Sequence, residues 1–350
     1  MNSLLLIRTD ASAEIGAGHL MRCLALAQAW QEKRGGVIFV TTEKPPIENR
    51  LKEERFEVVG LSSVERGSLE DAKQFSALAT QKNANWVVLD GYAFNAAYQK
   101  EIKAAGHRLL VIDDNSEEKH YYADFILNQN LYAHEALYEG KKGPSTRLLL
   151  GTDYALLRKE FLKWQTWKRE IPKRACKLLM TLGGGNSLPF ALEALRNLQN
   201  HKIKNLEIIL VTGLTGSNEK ELQIALKNFP SKISLKSHIP DLSEWMAWAD
   251  VAISAGGTTC WELAFMGVPT ITIILADNQE KNAQELAESG VSVNLGWHTK
   301  LSSSLEDSLK DLIENEKARS SMSRKGRALV DGEGSKRVVD AVRDGIKEVL

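Results

Sequence analysis

Cysteine is scarce in this chain: Cys23, Cys176 and Cys260 are the 3 in 350 residues, far apart and in no CxxC pair. That excludes a disulfide framework and a thiolate zinc site. All three are expected to be small core hydrophobes in a reducing, cytoplasmic setting. No run approaches the roughly 18–20 apolar residues of a membrane-spanning helix, so no membrane partner is expected. The opening MNSLLLIRTDAS is too short in its apolar part for a signal peptide and reads as a first strand. Neither sign of charge prevails: 45 Lys and Arg face 45 Asp and Glu, which argues against a nucleic-acid partner. The phosphate-loop pattern GxxxxGK[ST] is missing, and GAGHLM lacks the third glycine of GxGxxG. Neither ATP hydrolysis nor an NAD cofactor is encouraged, and no cofactor is expected. The histidines show no HExxH or other metal-ligand spacing, so no metal site is expected.

What is there is a strand–helix alternation that runs, stops and starts again. Short apolar runs at 4–7, 37–40, 56–61, 86–92, 108–114, 125–130 and 146–151 read as strands. Amphipathic stretches lie between the earlier ones, including 19–34, 47–55, 69–81 and 98–105. A charged seam, RKEFLKWQTWKREIPKR at 158–174, interrupts the pattern. The pattern resumes at KLLMTLGGGN (177–186) and continues to VSVNLG (291–296). A tail from 302 reads as two charged amphipathic helices around a GEGS break. Helices between buried strands imply right-handed crossovers and parallel sheets. The expected fold is α/β, two Rossmann-like domains with a cleft between them. The expected boundaries are 1–157, a connection at 158–172, a second domain at 173–300, and a helical tail at 301–350 packed on the domains.

Every unusual segment sits at a strand exit, where open sheets bind ligands. The stretch RTDASAEIGAGHLMRC, from Arg8, places His19 behind Gly16 and Gly18 where a helix begins. His19 either caps that turn or faces a bound anion or sugar and moves a proton. SAGGTTCWE, from Ser254, has Gly256 and Gly257 in a turn and Thr258 and Thr259 at a helix start, which suits a phosphate. Glu262 lies one turn on and either accepts from ribose hydroxyls or closes a capping box with Thr259. Cys260 reads as core. Gly184 and Gly185, in GGGN, form a turn or let a substrate approach the backbone. Asp90, Gly91 and Tyr92 end a buried strand, where Tyr92 packs in a seam or touches a sugar or phosphate. Asp113 and Asp114 point to opposite faces if the strand continues, which makes them a poor metal pair. Asn278 and Gln279 follow an apolar run and either bind hydroxyl or N-acetyl groups or cap a helix. His238, with Ile239 beside it, follows a strand at a position that borders a base pocket.

Taken in order, RTDASAEIGAGHLMRCLALA (8–27), LDGY (89–92), IDD (112–114), ADFILNQN (123–130), LGTDYALLRKEF (150–161), LGGGN (182–186), ISAGGTTCWELAFMGVP (253–269) and LADNQ (275–279) resemble one family. It is that of the UDP-2,4-diacetamido-2,4,6-trideoxy-β-L-altropyranose hydrolases of pseudaminic acid biosynthesis, with related spore-coat polysaccharide biosynthesis proteins. The resemblance covers about residues 4–295 and implies a GT-B-like fold. By position it implies that His19, Tyr92 and Asn278 are catalytic and that the nucleotide lies on the second domain. Arg8, Asp10, Gly16, Gly18, Arg22, Gly184, Gly185, His238, Ile239, Gly256, Gly257, Thr258, Thr259, Glu262 and Gln279 make up the candidate substrate-binding set. The GG…CWE version at 256–262 departs from a serine-rich form of that segment, so the individual phosphate contacts stay open.

The implied reaction is metal-independent hydrolysis of a UDP-sugar by water attack at the anomeric carbon, in a monomer or weak dimer. A histidine suits the base role because imidazole titrates near working pH. The rivals are a GT-B glycosyltransferase using a UDP-sugar donor, a non-catalytic nucleotide-sugar-binding protein, and a hydrolase or epimerase for another UDP-sugar.

Overall fold

The computed structural model describes residues 3–12, 15–43, 48–183, 188–200, 206–212, 232–237, 239, 241–300 and 304–347. The chain forms two compact units. Unit 1 comprises 1–159 with 332–350, and unit 2 comprises 160–331.

Unit 1 carries seven parallel strands: β1 Leu4–Thr9, β2 Gly36–Thr41, β3 Glu57–Gly60, β4 Trp86–Asp90, β5 Leu109–Ile112, β6 Phe125–Asn128 and β7 Arg147–Leu150. Their order is β3-β2-β1-β4-β5-β6-β7. The order reverses between β1 and β4, the switch point at which open α/β sheets receive ligands. Leu5, Leu6, Ile7, Val87, Val88 and Leu89 are buried, because both faces of a parallel sheet are covered by helices. Each such side chain is worth about 1.5–3 kcal/mol when fully buried.

The helices α1 Gly18–Glu32, α2 Glu48–Glu53, α3 Leu69–Gln81 and α4 Ala96–Ala104 join these strands. The periodicity predicts α4 at 98–105. It starts earlier because the Asn95 side chain caps it, accepting from Ala97 and Tyr98 N–H. Apolar spacing makes α1 look one-sided, but Ala25 and Leu26 are buried as well as Leu20, Leu24 and Ala27. The final helix supplies the second cover. Its Arg343 lies over the Trp30 ring at 5.6 Å, and Asp340 pairs with Lys33 at 2.8 Å.

Unit 2 repeats the plan with β8 Lys177–Thr181, β9 Glu207–Thr212, β10 Lys232–Ser237, β11 Val251–Ala255, β12 Thr270–Ile274 and β13 Ser292–Trp297. All pair in parallel in the order β10-β9-β8-β11-β12-β13, with a switch point between β8 and β11. Described helices follow the boundary turn α5 Lys159–Leu162: α6 Leu188–Asn200, α7 Ser243–Trp248, α8 Thr259–Phe265, α9 Glu280–Glu288, α10 Ser304–Glu314 and α11 Glu316–Leu329. Leu178, Met180, Val251, Ile253, Ile271 and Ile273 pack with Leu305, Leu309, Leu312 and Ile313 of α10. The stretch from 302, read as two helices, holds three. Asn315 breaks it early by capping α11 through Ala318 N–H, and α12 Gly334–Lys347 returns to unit 1. Cys176, expected in the core, is exposed, whereas Cys23 and Cys260 are buried. No described helix is long and apolar enough to cross a membrane.

Candidate active site

The turn after β1 closes with Gly16 N–H donating to Ser12 C=O at 2.8 Å. Gly16 has φ +77°, in the left-handed region that favours glycine. α1 then begins at Gly18, and its first turn faces the end of β4 at the switch point. The His19 side chain does not cap the helix, whose N-cap is Ala17. Its Nδ1 lies 2.8 Å from Asp90 Oδ1. Asp90 is the last residue of β4 and is fully buried. Gly91, with φ +148°, then turns the chain so that Tyr92 stands 55% exposed beside its buried neighbour.

Arg22 sits one turn after His19 and grips two carboxylates. Its Nε and Nη2 donate to Asp90 at 2.8 and 2.6 Å, and its Nη1 and Nη2 donate to Asp114 at 2.7 and 3.0 Å. Cys23 Sγ–H adds a contact to Asp90 Oδ2 at 3.2 Å. Burial pushes the Asp90 carboxyl up, but the charge of Arg22 and the hydrogen bonds from Arg22 and His19 outweigh it, so it lies well below the usual carboxylate range. Asp114 is lowered in the same way, burial losing to Arg22. Burial and Asp90 push the Cys23 thiol well up, which leaves it a neutral donor and a poor nucleophile.

These partners fix the histidine's tautomer. Arg22 Nη2 also lies 3.1 Å from His19 Nδ1, but its protons are directed to Asp90 and Asp114. An ionised Asp90 can only accept, so Nδ1 carries the proton and donates. Nε2 is then the basic nitrogen of the neutral ring. The Tyr92 ring stands edge-to-face against the imidazole, 5.0 Å between centroids at 84°. Its hydroxyl donates to Asp114 Oδ2 at 3.1 Å.

Three residues of the expected substrate-binding set bond to carboxylates or backbone within the protein. Arg8 is fully buried and donates to both oxygens of Asp71, at 3.0 and 2.8 Å, and to Asp10 at 2.7 Å. Asp10 also accepts from Thr42 N–H and Oγ1–H at 2.8 and 3.1 Å. Arg22, 4% exposed, is committed to Asp90 and Asp114. All three side chains are buried and paired within the protein. Asp113 and Asp114 do part company. Asp113 accepts from Tyr121, Tyr138 and Ser116 N–H at 3.0, 2.6 and 2.9 Å, and burial raises it above the usual carboxylate range. Among the described residues, no group of three or more His, Cys, Asp or Glu is placed to hold a metal ion.

In unit 2 the turn after β11 and the turn after β12 lie side by side. Gly256 C=O accepts from Asn282 Nδ2 at 3.0 Å, and a Cβ on Gly256 would meet the Gln279 carbonyl at 3.0 Å. Gln279 Oε1 accepts from Leu275 N–H at 3.0 Å, while Asn278 is exposed in the 3₁₀ turn Asp277–Gln279. Gly257 and Thr258 are half-buried, and Thr258 occupies the N-cap of α8 without a side-chain capping bond. With Thr258 there, Thr259 opens the helix and Glu262 falls one position beyond the capping-box site, which weakens that reading. Cys260 is core: it is buried, and its thiol is pushed up to about 12 by burial, with Glu262 adding to the shift. Ile239 is half-buried; Gly184, Gly185 and His238 lie outside the described residues.

Sequence reasoning missed Asp90 as the partner of His19, and Asp114, Asn130 and Tyr132 as its surroundings. Asn130 Nδ2 donates to Asp114 Oδ1 at 3.1 Å, and Tyr132 O–H donates to the Asp114 carbonyl at 2.8 Å. The available signal was a charged residue closing an otherwise apolar strand, since such a group is buried only with partners.

Residues 180–340 match the glycosyltransferase family 28 C-terminal domain. The chain is 27% identical over 290 residues to the UDP-2,4-diacetamido-2,4,6-trideoxy-beta-L-altropyranose hydrolase of Campylobacter jejuni, covering 82% of this chain and 97% of that one. It is 24% identical over 343 residues to the spore coat polysaccharide biosynthesis protein SpsG of Bacillus subtilis, covering 97% of each. It is 26% identical over 276 residues, 76% of this chain, to the uncharacterized protein MJ1062 of Methanocaldococcus jannaschii, and there it spans about half (54%) of the relative's length. Among solved structures, Acinetobacter baumannii MurG superposes with a TM-score of 0.67 at 14% identity, covering 98% of this chain and 99% of that one. The Staphylococcus aureus MnaA–UDP structure does so with 0.69 at 15% identity, covering 99% and 97%. These likenesses establish a GT-B-like fold of two Rossmann-like domains. The motifs quoted above point to the same hydrolase and spore-coat relatives that the sequence comparison finds.

Proposed function

We propose, from these likenesses and the site's geometry, that the protein hydrolyses a UDP-linked diacetamido-trideoxy sugar in pseudaminic or related nonulosonic acid biosynthesis. The observation that carries the reading is the His19–Asp90 pair at the switch point of unit 1. Asp90 holds the proton on Nδ1, and Nε2 takes a proton from water as the water oxygen bonds to the anomeric carbon. The bond from that carbon to the diphosphate oxygen breaks, and UDP leaves with the electron pair. UDP is assigned to unit 2, its diphosphate at Gly256–Thr259 and its ribose at Glu262, where backbone N–H groups favour negative charge. Tyr92 and Asn278 are assigned to the sugar. No metal is invoked, because the carboxylates of Asp90 and Asp114 are committed to Arg22.

A GT-B glycosyltransferase is the second reading, favoured by the family 28 match over 180–340. One experiment separates the two. Purified protein is incubated with a panel of UDP-sugars and no acceptor, with and without EDTA, and UDP and free sugar are followed. Equal release in both arms is expected. Binding without release would favour the transferase or the non-catalytic reading, and loss in EDTA would remove metal independence. Glu262→Ala should weaken UDP binding by about 1–3 kcal/mol, the worth of a charged hydrogen bond, as read by calorimetry. Unchanged affinity would take Glu262 out of the site.

A further inference from the structure

The Tyr92 hydroxyl has one proton, and that proton is directed inward to Asp114 Oδ2 at 3.1 Å. Asp114 is a competent acceptor because Arg22 and Asn130 also donate to it, at 2.7 and 3.0 Å and at 3.1 Å. Beyond them, Tyr132 O–H and Asn128 Nδ2 donate to the Asp114 carbonyl at 2.8 and 3.3 Å and hold its backbone. The carboxylate is therefore fixed in place, and the phenol is tethered by its far end. The body of Tyr92 remains more than half exposed and stands against His19. A phenol donating to a buried carboxylate has no second proton for a phosphate or a sugar oxygen.

We infer that Asp114 is a positioning residue for Tyr92, turning its hydroxyl away from the substrate so that Tyr92 meets the sugar with its ring. This rests on the hydrolase reading for the identity of the ligand, but not for the tether itself. Asp114 touches no substrate; it acts through Tyr92. The ring then does two things. It offers an apolar face to the C–H face of a sugar, and it limits the tilt of the His19 imidazole, which Asp90 holds at the other edge.

The test is a double-mutant cycle of Tyr92→Phe and Asp114→Asn, with Tyr92→Leu alongside. Steady-state kinetics use whichever UDP-sugar the wild type hydrolyses, and melting temperature is recorded for each variant. Tyr92→Phe keeps the ring and loses the tether, so KM should rise about three- to tenfold while kcat falls less than about threefold. Tyr92→Leu should raise KM more than Tyr92→Phe does. The effect of Asp114→Asn on KM should be at least about threefold smaller when residue 92 is already Phe, because the hydroxyl through which it acts is gone. A roughly hundredfold loss of turnover in Tyr92→Phe would make the hydroxyl a chemical participant and overturn the inference. Additive effects in the cycle would overturn it equally. Should the wild type turn over no UDP-sugar, the hydrolase reading fails by itself, and the same cycle is read in calorimetric affinity for UDP-N-acetylglucosamine.

Discussion

Asparagine in place of His19 is expected to cut kcat for UDP release by about 10²–10⁴, the usual contribution of a positioned acid–base group. The amide nitrogen of Asn stands at the same place along the side chain as imidazole Nδ1. It can go on donating to Asp90, so the buried carboxylate keeps a partner and the fold loses little. What disappears is the unprotonated Nε2, for which Asn offers no equivalent. UDP affinity should stay within about threefold, because binding that is equal in ground and transition states is untouched. If His19 only shaped its turn, the same variant would melt lower and turn over normally. Measuring kcat, UDP affinity and melting temperature on one preparation separates the two. Turnover within about threefold of wild type would end the hydrolase mechanism proposed here.

The architecture is largely legible in the sequence because it is written in local signals. α3 lies at 69–81, the span its periodicity predicts, with Ser68 as its cap. β4 and β11 are short, mostly apolar runs, each preceded by a polar residue, that can be buried on both faces only in a covered sheet. The glycine turn before His19 is legible too. The identity of its partner is not: Asp90 lies 71 positions away, and only the pairing of β1 with β4 brings the two together. Arg8 and Arg22 show a different limit. An arginine in the strand or helix that flanks a candidate ligand loop reads the same whether it meets a ligand or a buried carboxylate, and here both meet carboxylates. Burial of α1 on two sides is equally hidden, since the helix that covers its second face comes some three hundred residues later.

Removing the Arg22 side chain should be among the most damaging single changes to the fold. Arg22→Ala leaves Asp90 and Asp114 buried with no guanidinium between them, and breaking such a pairing typically costs about 3–5 kcal/mol. Arg22→Lys should recover only part of this, since one ammonium cannot fork to both carboxylates. The pH dependence separates lost charge pairing from lost packing. In the wild type, Asp90 and Asp114 titrate below their unfolded values. Their stabilisation is therefore present above about pH 4–5 and is lost as pH falls through the lower, folded values. In Arg22→Ala the counter-charge is gone and burial dominates, so both carboxyls should titrate above their unfolded values. The penalty in the variant then eases as pH is lowered from 7 toward 5, over a range in which the wild-type pair keeps its stabilisation. Asp113, raised by burial, works the other way from its neighbour in both proteins and cancels in the comparison. Urea denaturation of the two proteins at pH 7, 6 and 5 should show a gap that narrows with acid. A gap of constant size would mean that the guanidinium acts by filling space, and would remove the electrostatic account of this cluster.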